Sequence, residues 1–156
     1  MPLITDYTLQ HTKAVMAITA ITAPLEVLAP SAAPGSKFDQ QLRKVLHWRE
    51  VCSKINDGKD ISARAERALD VKSARLFPYM QTTHLPDEER AMRWADLLWV
   101  GAILTTDVRN TCPDFGKSRP WGYLDTTAWT LGHMLMKLVP GCDERGTALY
   151  VEIYND

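Results

Sequence analysis

The segment 95–104 constrains the fold more than any other part of the chain, because Asp96 is its only ionisable residue. A proline and three carboxylates at residues 86–89 precede it, and this composition is typical of the first turn of a helix. A helix that is apolar almost all round is usually the one that the other helices surround. We therefore predict a central helix that ends near Arg109. About 20 apolar residues are needed to cross a bilayer, so we expect no membrane contact from this segment.

Apolar residues elsewhere recur at intervals of three and four, which is the spacing of amphipathic helices. Further helices are predicted from Asp6, from Ser36, from Asp60 or Ser62, and from Asp125 or slightly earlier. Their expected inward positions are Ala14, Ile18, Ile21, Leu25, Leu28, Phe38, Leu42, Val45, Trp48, Cys52, Ile55, Ala65, Ala68, Leu69, Leu76, Leu124, Ala128, Leu131, Leu135 and Leu138. Residues 147–154 alternate apolar with polar or aromatic side chains, which favours a short C-terminal strand over a terminal helix. An unpaired strand would promote homodimers by edge pairing.

Length and composition indicate an ordinary globular protein. The chain has 156 residues, 46% of them hydrophobic, and a net charge of -1, which predicts one domain spanning residues 1–156. The three cysteines are odd in number and form no C-x-x-C pair, so we expect a reducing, cytoplasmic location and no structural zinc. Cys52 is expected in the core, and Cys112 and Cys142 near exposed loops. The predicted fold class is mainly α: a compact bundle of five to six helices.

Short catalytic motifs are missing from the sequence. It has no H-E-x-x-H, no G-x-S-x-G and no S-x-x-K, which are the spacings of common metal and nucleophile sites. Gly116-Lys117-Ser118 resembles the end of a phosphate-binding loop, but Thr111 stands where that loop needs its first glycine. We therefore expect no cofactor and no metal, and favour a chain that is not an enzyme.

Asp96 supports an alternative hypothesis, because a carboxylate inside an apolar run must be paired, at the surface or functional. The favoured interpretation is an ion pair with Arg93 at the rim of the core. The other interpretation is a small enzyme with a site around Asp96 and His133, to which His84 and Glu88 could contribute. Whether these separated residues converge cannot be read from spacing.

Residues 37–75 form the most basic part of the chain, with ten Lys or Arg against six Asp or Glu. A basic face is predicted on one side of the third helix: Arg64, Arg67, Lys72 and Arg75. Glu66 and Asp70 dilute the charge and no aromatic residue is interleaved, so a solvated face is the favoured interpretation. Binding of nucleic acid through this face is a weaker hypothesis.

The segment 115–123 groups aromatic and basic side chains in a predicted loop between helices. Its candidate partner-binding residues are Phe115, Lys117, Arg119, Trp121 and Tyr123. Trp, Tyr and Arg dominate the energetics of protein interfaces. We therefore predict a protein-binding domain, such as an inhibitor, immunity protein, adaptor or assembly factor, whose partner is another protein. The alternative is that Trp121 and Tyr123 fold back to cover the bundle.

Overall fold

The computed structural model of the protein describes residues 25–54, 60–112 and 118–155. Within these ranges lie five α-helices, and two 3-10 helices cover Pro30–Ala32 and Phe77–Met80. The α-helices are α1 (Lys37–Lys54), α2 (Asp60–Ala74), α3 (Asp87–Thr111), α4 (Arg119–Leu138) and α5 (Cys142–Tyr154). Residues 25–28 are also helical. The predicted mainly α bundle is confirmed. The part of the first predicted helix that precedes Leu25 lies outside the described residues.

Helix α3 is the central helix, as its apolar run predicts. It packs against α2, α4 and α5. The three carboxylates of its first turn, at residues 87–89, lie at the positive end of the helix dipole. The helix ends at Thr111, two residues beyond the predicted end. In the part of the chain that the structure describes, no helix is both long and apolar enough to cross a membrane.

Two clusters of buried side chains share α3. One lies between α2, α3 and α5 and the start of α4, and contains Leu69, Val100, Trp121 and Ile153. The other lies between α1, the N-terminal half of α3 and the C-terminal half of α4, and contains Phe38, Ala95 and Leu135. The apolar stripes predicted for α1, α2 and α4 all face these clusters, so the helical periodicity identified the buried faces correctly.

Helix α1 begins with a capping arrangement that the sequence indicates. The Asp39 amide donates to Ser36 Oγ at 3.2 Å, and Asp39 Oδ2 accepts from the Gly35 amide at 3.0 Å. Burial disfavours the charged form of Asp39, but the bond from Gly35 and the adjacent Arg43 guanidinium outweigh it and lower its pKa. The cap therefore satisfies amide donors that the first turn of a helix leaves without partners.

Helix α4 begins six residues before Asp125, so of the two predicted starts the earlier one is found and Asp125 is not the N-cap. Arg119 is its first residue, with Pro120 in the first turn, where a missing amide proton costs nothing. Asp125 is instead buried one and a half turns into the helix. There it accepts a bond from Arg109 Nη1 at 2.5 Å and contacts Thr105 Oγ1 at 3.4 Å.

The predicted C-terminal strand is wrong, because residues 147–154 belong to helix α5. The described residues contain no β-strand. Leu149, Val151 and Ile153 fit a strand alternation, but two of them also fit a helical spacing. The buried residues of α5 recur at intervals of four, three and four: Cys142, Gly146, Leu149 and Ile153. Val151 is 50% exposed. The homodimer predicted from strand pairing therefore loses its basis.

Candidate functional site

The predicted aromatic-basic loop is divided by the start of α4. Phe115 and Lys117 lie outside the described residues. Arg119, Trp121 and Tyr123 belong to the first turns of α4. Arg119 is exposed and Tyr123 is 40% exposed. The remaining partner-binding candidates therefore project from a helix and not from a loop.

Trp121 is 1% exposed and lies in the cluster formed by α2, α3 and α5. Its ring covers the bundle, which is the alternative that the sequence left open for it. A side chain buried to this extent offers no area to a partner in this conformation, so Trp121 is a core residue. For Arg119 and Tyr123, partner binding stays a prediction.

Tyr123 takes part in a row of ring contacts between α1 and α4. The centroids of the Trp48 and Tyr123 rings are 4.7 Å apart with an interplanar angle of 49°. The His47 and Trp48 rings meet edge to face, with their centroids 5.1 Å apart. The Arg119 guanidinium lies 5.9 Å from the centroid of the Tyr123 ring. These four residues, His47, Trp48, Arg119 and Tyr123, are called the α1–α4 aromatic surface. Trp48 is half-buried, and His47 and Arg119 are exposed.

Sequence reasoning missed Trp48 as a functional candidate because helical spacing assigned it to the buried stripe of α1. His47 lies on the exposed face of that helix. The available signal was the position of Trp48 at the edge of the apolar stripe, next to His47. It could not be used without knowing that α1 packs against the start of α4.

The predicted basic face on α2 separates into two parts. Arg64, Arg67 and Arg75 are exposed. Lys72 is half-buried and forms an ion pair with Asp107 of α3. The Arg75 guanidinium lies over the Tyr154 ring of α5, 5.7 Å from its centroid. The arginines are therefore the more exposed members of this face, while Lys72 joins two helices.

A groove with a volume of about 680 Å³ runs between α2 and α5 above the C-terminal half of α3. This α2–α5 groove is lined by Val71, Lys72, Arg75, Asp107, Tyr150, Val151, Tyr154 and Asn155. Tyr154 Oη donates to the Lys72 carbonyl at 2.6 Å, which holds α5 against α2. The bond from Lys72 to Asp107 lowers the pKa of Asp107, and burial raises the pKa values of Tyr150 and Tyr154. Val71 and Val151 are 48% and 50% exposed.

Asp96 pairs with Arg145 of α5, so the prediction that its partner is Arg93 is wrong. Arg145 Nε lies 3.2 Å from Oδ1 and 3.3 Å from Oδ2 of Asp96. Burial raises the pKa of Asp96, and the charges of Arg145 and Arg93 offset only part of that effect. Arg145 also donates from Nη1 to the Pro140 carbonyl at 3.3 Å, folding over Gly141, whose φ is +86°. The pair therefore joins α3 to both the turn and the helix that follow α4.

The polar residues proposed for a small enzyme do not converge. Asp96 lines a cleft of about 460 Å³ together with Glu89, Arg93, Arg145 and Glu152. His84 and Glu88 are exposed and lie outside the residues that line this cleft. His133 is exposed on α4, with its ring 6.0 Å from that of Trp129. Of the four candidates, Asp96 alone lines the cleft.

All three cysteines are buried. Cys112 and Cys142 lie at the ends of helices, next to loops as expected, but do not expose their thiols. Burial raises the pKa of the Cys142 thiol to about 11, with a further contribution from the charge of Asp96. A thiol with this pKa is protonated at neutral pH and is a poor nucleophile. Among the described residues, no group of three His, Cys, Asp or Glu is arranged to hold a metal ion.

Comparison of the chain with protein-family models, with curated proteins and with solved structures gives no match.

Proposed function

We propose that this protein is a binding domain of the adaptor or inhibitor type, which recognises a partner protein through the α1–α4 aromatic surface. The contact between the Trp48 and Tyr123 rings is the observation that supports this proposal. It places two large aromatic side chains from different helices side by side at the surface. Tyr, Trp and Arg are the residues most enriched among interface hot spots.

The surface is ordered before any partner arrives. Buried contacts such as Phe38 and Leu42 with Leu131 and Leu135 hold α1 against α4. Gln41 Nε2 donates to the Thr127 carbonyl at 3.1 Å and joins the two helices a second time. Aromatic side chains fixed by their neighbours lose little conformational entropy on binding, so more of their contact energy remains as affinity.

The chemistry of the surface favours a partner with an apolar side chain beside a carboxylate. Tyr123 offers an aromatic face that is 40% exposed. The Arg119 guanidinium lies over the same ring and is itself exposed. A partner that inserts an apolar group against Tyr123 could place an acidic group at Arg119, where bonds between charged groups are stronger than neutral ones.

Affinity capture from the cells that make the protein, with identification of bound proteins by mass spectrometry, tests this proposal. The wild-type chain is compared with a Tyr123→Ala, Arg119→Ala double variant. The matched control is Val27→Ala with Lys137→Ala, which removes an exposed apolar group and an exposed cation elsewhere. We expect the first variant to recover its partner at least about 10-fold less well, and the control to recover it fully.

Thermal unfolding of both variants checks that the fold is retained, since the changed side chains are exposed. Equal recovery of the same proteins by the wild type and by the Tyr123→Ala, Arg119→Ala variant would show that this surface is not the binding site.

A further inference from the structure

We propose that the α2–α5 groove is a second docking site, which takes an acidic amphipathic segment of a partner protein. The inference does not rest on the α1–α4 aromatic surface, because the two sites share no residue. It rests on the two half-exposed valines in the groove and on the exposed arginines beside them.

Val71 and Val151 face the groove from opposite helices. They are 48% and 50% exposed, and both are among the largest exposures of apolar side chains in the described part of the chain. Covering such a pair removes apolar surface from water, which is the main favourable contribution to association. The rings of Tyr150 and Tyr154 line the α5 side of the groove, and their centroids are 4.9 Å apart.

Two polar contacts join the walls of the groove. The Lys72–Asp107 ion pair and the bond from Tyr154 to the Lys72 carbonyl hold its base and its far wall. Asp107 pairs with Lys72, so we expect the exposed Arg64 and Arg67 to supply the positive charge that faces an incoming ligand. The Arg75 guanidinium lies over the Tyr154 ring at the rim of the groove.

Exposed arginines lie along α2 beyond the cavity, and Arg75 directly follows the last residue of that helix. Arg64, Arg67, Val71 and Arg75 follow one another at intervals of three, four and four, and all four are exposed. At 1.5 Å per residue, this stripe is about 16 Å long. A stripe of this length exceeds what one small anion contacts, and matches a peptide segment that carries several carboxylates. The exposed arginines and the half-exposed valines next to them correspond to the acidic and the apolar side chains of an acidic amphipathic segment.

A protein segment is favoured over nucleic acid because of the valines. A phosphate backbone offers charge along the arginine stripe but no aliphatic group to cover Val71 and Val151. Specific binding to nucleic acid would also show the steep salt dependence of released counterions.

Selection of a displayed library of random peptides of about 16 residues, long enough to cover the stripe, tests the proposal with the full chain as target. We expect the enriched peptides to carry Asp or Glu together with Leu, Ile or Val at intervals of three and four. Their affinities are then measured for two double variants, Val71→Ser with Val151→Ser and Arg64→Glu with Arg67→Glu. The matched control is Val27→Ser with Lys137→Glu, which replaces an exposed valine and an exposed cation elsewhere on the surface.

We expect each groove variant to weaken binding of these peptides at least about 10-fold. The control, and the Tyr123→Ala, Arg119→Ala variant of the other surface, should bind them as the wild type does. Comparing the groove variants with the Tyr123→Ala, Arg119→Ala variant tests the two sites separately. A negative result for one site therefore leaves the proposal for the other site unaffected.

Three results would overturn the proposal. The first is an absence of enriched peptides, or enriched peptides that bind the groove variants undiminished. The second is tight, salt-sensitive binding of a short DNA duplex that the serine variant leaves unchanged. The third is concentration-dependent dimerisation in sedimentation that the serine variant abolishes, which would make a second copy the occupant.

Discussion

The α3–α5 interface and the α1–α4 aromatic surface both place a tryptophan between two helices, but with opposite results. Trp99 of α3 is 8% exposed and donates from Nε1 to Thr147 Oγ1 at 3.2 Å. Its ring fits against Gly146 of α5 and Gly132 of α4, where a Cβ would lie 2.6 Å and 2.7 Å from the nearest ring atom. Trp48 of α1 meets Tyr123, and both remain partly exposed.

The difference shows how glycine decides whether a tryptophan stabilises the fold or remains available at the surface. A glycine opposite the indole lets the two helices approach until the ring is enclosed, so the apolar area of the ring contributes to stability. At the α1–α4 aromatic surface the indole of Trp48 meets a tyrosine ring instead, and part of both rings stays exposed. The following predictions test this contrast, in order of decreasing effect.

Gly146→Ala should lower the free energy of unfolding most, by about 2–3 kcal/mol. The new methyl group would lie within 3 Å of Cβ, Cγ and Cδ1 of Trp99, which are close to the backbone and have little room to move. Gly101→Ala is the matched control, since no atom lies within 4 Å of a Cβ at that position. It should be neutral or stabilise by up to about 1 kcal/mol, because alanine favours the helix. Urea unfolding measures both, and equal effects would refute the enclosed fit of Trp99.

Arg145→Met should lower the free energy of unfolding by about 1–2 kcal/mol, because it leaves the buried carboxylate of Asp96 without its bonded partner. Arg93→Met should lower the free energy of unfolding by a smaller amount, since Arg93 acts on Asp96 only through its charge. A carboxyl titration followed by NMR should show that the pKa of Asp96 rises further in the Arg145 variant than in the Arg93 variant. The reverse order would restore the Arg93 pairing expected from the sequence.

The pH dependence of stability should have opposite signs at Asp96 and Asp107. Burial raises the pKa of Asp96 above its ordinary value of 3.8. The contribution of Asp96 to the free energy of unfolding is therefore fully present below pH 3.8 and is lost as the pH rises through the raised pKa. Lys72 lowers the pKa of Asp107, so its contribution is present above pH 3.8 and is lost as the pH falls through the lowered value.

Urea unfolding of the wild type, Asp96→Asn and Asp107→Asn between about pH 3 and pH 6 tests these signs. The free energy of unfolding of the wild type minus that of Asp96→Asn should fall as the pH rises. The same difference between the wild type and Asp107→Asn should increase as the pH rises. The Asp107 effect should stay below about 1 kcal/mol, because both members of its ion pair are about one-third exposed. Slopes of the same sign would contradict the assigned environments.

Tyr123→Ser should change the free energy of unfolding least, by about 0.5 kcal/mol or less, because the ring is 40% exposed. Trp48 fluorescence should nevertheless change, since the ring beside it is removed. A large loss of stability would show that the α1–α4 aromatic surface belongs to the core, and would weaken its proposed role in binding.

The sequence predicted the central helix and the buried faces of α1, α2 and α4 because helical periodicity is a local property. It failed for α5, where Leu149 and Ile153 satisfy a strand alternation and a helical spacing at the same time. It placed Trp121 in a loop because the prolines and glycines around it resemble loop composition, although Pro120 also suits a first helical turn.

The candidate sites were harder to predict because their contacts join distant parts of the chain. Arg145 and Asp96 are separated by 49 residues, and no local spacing favours this pair over Arg93 and Asp96. The α1–α4 aromatic surface likewise needs Trp48 and Tyr123 to meet across two helices. Gly132 and Gly146 do give a local signal for the packing of Trp99, because a glycine inside a helical segment often marks close packing.

The turn between α4 and α5 ties a backbone requirement to a buried charge. Gly141 has a positive φ, and a Cβ there would lie 2.7 Å from Nη1 of Arg145. A side chain at this position would adopt a strained backbone conformation and displace Nη1 of Arg145, the guanidinium that pairs with Asp96. In evolving sequences, positions 96, 141 and 145 should therefore vary together: a lineage that replaces the glycine should also have exchanged the arginine and neutralised the aspartate.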